Sequence, residues 1–197
     1  MIRSKDDYLF YMKADKISSG IGRARPRPLI GDDLWKFQLL MRKCEYWNNC
    51  LKNISPAHAL FYYTLQYRYH QMSVRLGFTI PLNVFGPGLS IAHYGQLVVN
   101  SAAEIGENCR IHPGANIGSH DETAPKIGNN VYIGPGAKIF GDITIADGIA
   151  IGANSVVNRS FLEPNISIAG VPARKVSDTG SLPYIVRGTE ALRGQTL

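Results

Sequence analysis

Five histidines occur in the 197 residues, at positions 58, 70, 93, 112 and 120, and two of them stand where a strict count along the chain is broken. A neutral imidazole can take a proton from a hydroxyl near pH 7, so a well-placed histidine is the first candidate for a general base. From Phe85 the chain can be written in sixes: FGPGLS, IAHYGQLV, VNSAAE, IGENCR, IHPGAN, IGSHDETAPK, IGNNVY, IGPGAK, IFGDIT, IADGIA, IGANSV, VNRSFL. An aliphatic or aromatic residue opens every block and a small residue usually follows. Ile91 to Val99 takes eight residues instead of six and Ile117 to Ile127 takes ten, while every other step from Val99 to Val157 is six. The first excess carries His93; the second, SHDETAPK, carries His120 with Asp121 and Glu122.

A period of six is a signature of a parallel β-helix. Each block supplies a short strand and a turn, and three blocks close one triangular coil. The opening residues of successive coils then stack in a continuous interior column, and residues 79 to about 172 make roughly five coils of about 18 residues. Such a prism is filled by its own side chains, so chemistry must lie on its outside. An extra residue can be absorbed only by bulging from a corner, which makes His93 and His120 the candidates, with His93 first. His112 opens no bulge and reads as structural or as a support to the site; His58 and His70 lie on a helix, where packing is the default.

Two helices precede the prism. Asp33 is placed to cap LWKFQLLMRKCEYWNNCLKN, in which Leu34, Phe37, Leu40, Met41, Cys44 and Trp47 recur at helical spacing. The second has Ser55 as cap, Pro56 at the first helical position and Gly77 as the stop. Its aromatic run FYYTLQYRY reads as a packing face against the next domain or another subunit. The domains expected are a basic N-terminal arm (1–31), a helical region (32–78), the β-helix (79–176) and a C-terminal tail (177–197).

Composition narrows the function classes. The net charge of +6 is uneven: residues 1–78 carry 13 Lys and Arg against 6 Asp and Glu, whereas residues 79–197 carry 8 against 9. GRARPRPLI, the densest basic stretch, alternates Arg with Pro and Gly and favours an extended arm over a recognition helix, so no nucleic acid is expected as partner. No apolar run approaches the ~18 residues of a membrane span, and MIRSKDDYLF lacks the apolar stretch of a signal peptide, so a cytoplasmic location is expected. Cys44, Cys50 and Cys109 form no ligand-like cluster, and no metal is expected.

The corner LSIAHYGQLVVN, the run IGNNVYIGPGAKIFGDITIADGIAIGANSVVN, the terminal IAGVPARKV and the upstream YRYHQ resemble the left-handed β-helix acyltransferases, specifically the serine acetyltransferase family, over about residues 57–176. The fold this implies is mainly β, a left-handed parallel β-helix of hexapeptide repeats preceded by a small α-helical region. The resemblance implies an acetyl-CoA-dependent O-acetyltransferase working as a homotrimer on a small-molecule hydroxyl acceptor, with the site between adjacent prisms. It puts the family's general base on His93. It also implies acetyl-CoA contacts at Gly134, Gly136, Ala153 and Ala169, where small residues let the pantetheine approach, with Arg174 and Lys175 meeting the nucleotide phosphates.

Three positions depart from the family. The acid before the catalytic histidine is Ala92 here, the upstream acid that orients it has only Thr79 or Asn83 as polar substitutes, and the Arg-His before PKI is Thr123-Ala124. Asn83 is therefore carried as the orienting candidate and His120 as the alternative base. Acetylation of serine has the nearest local match, and acetylation of a sugar hydroxyl in surface-polysaccharide assembly fits the lost serine contacts. Hexapeptide carbonic anhydrase chemistry needs three histidines on zinc, which the separation of His112 and His120 disfavours. A non-catalytic scaffold would leave both bulges unexplained.

Overall fold

The computed structural model describes residues 1–119 and 123–194. Three helices, α1 (Lys5–Ser18), α2 (Asp33–Tyr46) and α3 (Pro56–Leu76), precede a solenoid of short strands. A short helix, α4 (Gly188–Leu192), follows it and packs on α1.

The period of six becomes three parallel faces. One carries Phe78–Thr79, Leu97–Val99, Asn116–Gly118, Lys138–Phe140 and Val156–Val157. The second carries Glu104–Ile105, Lys126–Ile127 and Thr144–Ile145, extended by bridges from Phe85 to Ile105 and from Phe161 to Ile145. The third carries Ser90–Ile91, Arg110–Ile111, Tyr132–Ile133, Ala150–Ile151 and Ser167–Gly170, and closes with Ala173–Ser177 running antiparallel. Pairing is in register: Ile91 on Ile111 on Ile133 on Ile151 on Ile168. All twelve block-opening residues from Phe85 to Val157 are at most 5% exposed, so the apolar column expected from the sequence fills the interior. Several corners take positive φ, at Asn108 (54°) and Gly136 (74°) for example, which fits Asn and Gly at those places.

The second predicted helix is found as read. Ser55 caps α3 by accepting from the His58 backbone N–H, Pro56 stands in the first turn, and Gly77 (φ 80°) ends it. Its aromatic run divides: Leu65 and Tyr69 join the core shared with α2 and the first coil and Tyr62 is buried, whereas Tyr63 and Tyr67 face outward. For α2 the cap differs from the expectation. Asp32, not Asp33, occupies that position, and its carboxylate makes no cap bond because it accepts from the Arg23 guanidinium at 2.7 and 2.8 Å and from the Arg27 backbone N–H. Those donors hold its carboxyl below the usual range, the Arg27 N–H contributing most. The helix then continues as a π-helical turn, Trp47–Leu51.

Residues 1–31 do not form one extended arm. Ser4 accepts from the Asp7 N–H while Asp7 accepts from the Arg3 N–H, a reciprocal cap that starts α1. Tyr11, Ala14, Asp15 and Ser18 on that helix are buried. The stretch 19–31, which includes GRARPRPLI, carries no helix or strand. The last segment also packs: the Gly188 N–H donates to Ser18 and the Thr189 hydroxyl accepts from the Asn108 amide.

The helices are fixed to the first coil by Arg42, which is fully buried. Its guanidinium meets Asp15 at 2.7 Å and Glu45 at 2.9 Å and donates to the carbonyls of Phe85 and Gly86. Asp15 in turn accepts from the N–H groups of Gly88 and Leu89. Burial works against the charge, but the two carboxylates outweigh it and hold Arg42 protonated. The cluster anchors the helical region to the end of the prism that carries the His93 corner.

Candidate active site

The corner at residues 92–96 is pinned from both sides. The Ala92 N–H donates to the Ile111 carbonyl in the next coil, the Gly95 N–H to the Leu76 carbonyl at the end of α3, and the Gln96 carbonyl accepts from Gly114. Between these anchors His93 and Tyr94 stand exposed, so the eight-residue step lifts a histidine off the prism while its backbone stays held.

The side chain that meets His93 is His112. Their ring centroids are 6.0 Å apart with planes at 58°. His112 rests edge-on against Tyr132 at 5.2 Å, and Tyr132 packs against Tyr184 of the C-terminal segment at 5.0 Å. A ladder of rings therefore runs along the third face, from the bulged corner towards the C-terminal coils. His112 Nε2 is buried with no hydrogen-bond partner. Burial, then the neighbouring Arg110 and His93, hold its imidazole more easily deprotonated than a free one. The sequence contained a signal for this: His112 follows Ile111 as Ala92 follows Ile91, and pairing those two isoleucines puts His112 directly beneath the corner.

Asn83 does not orient His93. Its amide exchanges two hydrogen bonds with Asn49, at 2.8 and 3.1 Å, and its backbone N–H donates to Glu45, so it ties the first coil to the helices instead. Thr79 lies on the first face, paired with Val98. His120, the alternative base, lies outside the described residues. His58 is used by the start of α3, with its Nδ1 2.7 Å from the Ser55 hydroxyl.

At the far end of the ladder a cavity of about 300 Å³ is lined by Tyr132, Ala150, Gly152, Ser167, Ala169 and Tyr184, among others. Ala169 is thus brought to a cavity wall, and Ala153 is exposed nearby in the chain. Coil stacking accounts for the two glycines. A Cβ on Gly134 would stand 2.7 Å from the Ile151 carbonyl, and one on Gly136 would collide with the Asn154 side chain. Arg174 is exposed and, among the described residues, enters no ion pair. Lys175 is held by Asp178 and Glu163, each at 2.6 Å, and those carboxylates raise its basicity. Among the described residues no group of His, Cys, Asp and Glu is arranged to hold a metal ion, and no helix is long and apolar enough to cross a membrane.

Comparison with known proteins gives these features a context. Residues 124–159 match the family described as bacterial transferase hexapeptide (six repeats). Over 117 residues the chain is 38% identical to the serine acetyltransferase of Salmonella typhimurium (57% of this chain, 42% of that protein), and 37% identical to that of Escherichia coli strain K12 with the same coverage. The chain is similar to the serine acetyltransferases in both sequence and fold. It spans less than half the length of these two curated relatives. Solved relatives cover more of it. The serine acetyltransferase of Brucella abortus strain S19 in complex with coenzyme A superimposes with a TM-score of 0.63 at 27% identity over 89% of this chain and 68% of that one. The Neisseria gonorrhoeae enzyme in complex with serine gives 0.62 at 28% identity over 87% and 68%. The α-helical region followed by a solenoid of hexapeptide repeats is therefore the homologues' architecture as well as this chain's.

Proposed function

We propose that the chain is an acetyl-CoA-dependent O-acetyltransferase of the serine acetyltransferase kind, transferring the acetyl group to the hydroxyl of serine with His93 as general base. The observation that carries it is the pinned eight-residue corner that raises one histidine at the head of the ring ladder. Neutral His93 takes the acceptor's hydroxyl proton as the oxygen attacks the thioester carbonyl. The tetrahedral intermediate collapses, the carbon–sulfur bond breaks, and the proton passes from His93 to the departing sulfur of coenzyme A. A positioned base of this kind supplies roughly 10²- to 10⁴-fold in rate. We assign the pantetheine arm to the cavity beside Ala169, with Ala153 along its path, and the nucleotide phosphates to Arg174, whose guanidinium suits phosphate oxygens. Gly134 and Gly136 serve by letting the coils close up beside that path. The assembly proposed is a homotrimer with the site completed by a neighbouring prism, a reading supported by the likeness to the acyltransferases and by the general preference of like chains for closed symmetry.

A second reading, acetylation of a sugar hydroxyl, is favoured by one cavity. Beside the His93 corner, Ala92 and Tyr94 share a space of about 210 Å³ with Ser19, Trp35, Gln38 and two carboxylates, Asp32 and Asp33, which are already faced by Arg23 and Arg75. Hydroxyl donors suit such walls better than the carboxylate of an amino acid does. Thiol release from acetyl-CoA, followed with serine and with a panel of monosaccharides and nucleotide sugars, decides between them. Turnover with serine establishes the first reading, turnover with a sugar alone establishes the second, and no turnover with any acceptor overturns both.

A further inference from the structure

We infer that His112 is a positioning residue for His93, its ring forming the wall that holds the base's imidazole in place as it takes the acceptor's proton. The inference rests on the reading of His93 as the base. It starts from a vacancy in the site: the position before His93 is Ala92, Asn83 is engaged with Asn49, and the only ring contact His93 has among the described residues is with His112.

The geometry of His112 suits the part. Its ring is wedged between His93 on one side and the Tyr132 ring on the other, and Tyr132 is itself backed by Tyr184. It therefore offers the otherwise exposed base a fixed wall. A carboxylate beside a histidine base both orients the ring and stabilises the imidazolium that forms. A neutral imidazole can orient by packing, but once protonated it would repel the proton that His93 has to take. Everything around His112 opposes that protonation. Its Nε2 is buried without a partner, which makes an imidazolium costly there. The groups that bear on it are Arg110 beside it in the chain and His93 in the corner, while the rings packed from the adjoining strand and the C-terminal segment are the phenols of Tyr132 and Tyr184.

The test is kcat and KM, measured with the acceptor that turns over, for wild type, His112→Phe, His112→Ala and His93→Ala. His112→Phe keeps a ring in the wedge and should hold kcat near wild type. His112→Ala removes the wall and should lower kcat roughly 10- to 100-fold with the KM for acetyl-CoA unchanged, since small misplacements of a base are costly. A kcat in His112→Ala equal to wild type, with His93→Ala inactive, would overturn the positioning role and leave the base in place. Retained turnover in His93→Ala would overturn the base assignment and the inference with it.

Discussion

Along the prism every block-opening residue is apolar and buried, whereas at the junction of helices and first coil the largest fully buried side chain is a charged one, Arg42. The prism repeats one solution: an aliphatic residue inward, a strand paired in register, a corner of Gly or Asn, then the same again. The junction uses one solution once, with Asp15 from α1, Arg42 and Glu45 from α2, and four backbone groups of residues 85–89. Stability in the first case is spread over many similar contacts. In the second it is concentrated in a few groups that cannot be removed singly.

Three substitutions sharpen this contrast. Arg42→Ala leaves two buried carboxylates without their partner and should cost about 3–5 kcal/mol. Urea unfolding should register it, and because the cluster holds the His93 end of the prism, activity should fall with it. Ile133→Ala in the middle of the column removes a fully buried side chain and should cost about 2–4 kcal/mol without moving the corner. The kcat of the folded fraction should therefore stay near wild type. Ser55→Ala removes one cap at the start of α3 and should cost about 1 kcal/mol, read as a small shift in the urea midpoint with the slope unchanged. A larger effect from Ser55→Ala than from Arg42→Ala would contradict the account of where the junction draws its stability.

The same contrast explains what could be read from the sequence. A count of six is a local rule repeated, so the inward residues, the sheet register and the His93 bulge follow from arithmetic on the chain. The limits of α3 were also legible, because Ser55, Pro56 and Gly77 act on the backbone beside them. The helix α1 was not, because its buried face includes Asp15 and Ser18, whose burial makes sense only once Arg42 and Gly188 are known to meet them. Asp33 was read as a cap because nothing near it in sequence reveals that Asp32 takes the position with its carboxylate already claimed by Arg23. Asn83 was chosen for its polarity and its place before the corner; its true partner, Asn49, lies on another element. His112 could have been found by carrying the count one step further, from Ile91 to Ile111 and then to the residue after each.

The central claim is that the break in the repeat exists to present His93 to an acceptor hydroxyl. The most direct measurement is the steady-state rate of acetyl transfer by His93→Ala beside wild type, with coenzyme A binding measured on both. The account predicts a loss of roughly 10²- to 10⁴-fold in kcat with coenzyme A affinity unchanged, because His93 stands at the opposite end of the ring ladder from the cavity at Ala169. Full turnover by His93→Ala would contradict it, and the catalytic base would have to be sought elsewhere in the chain.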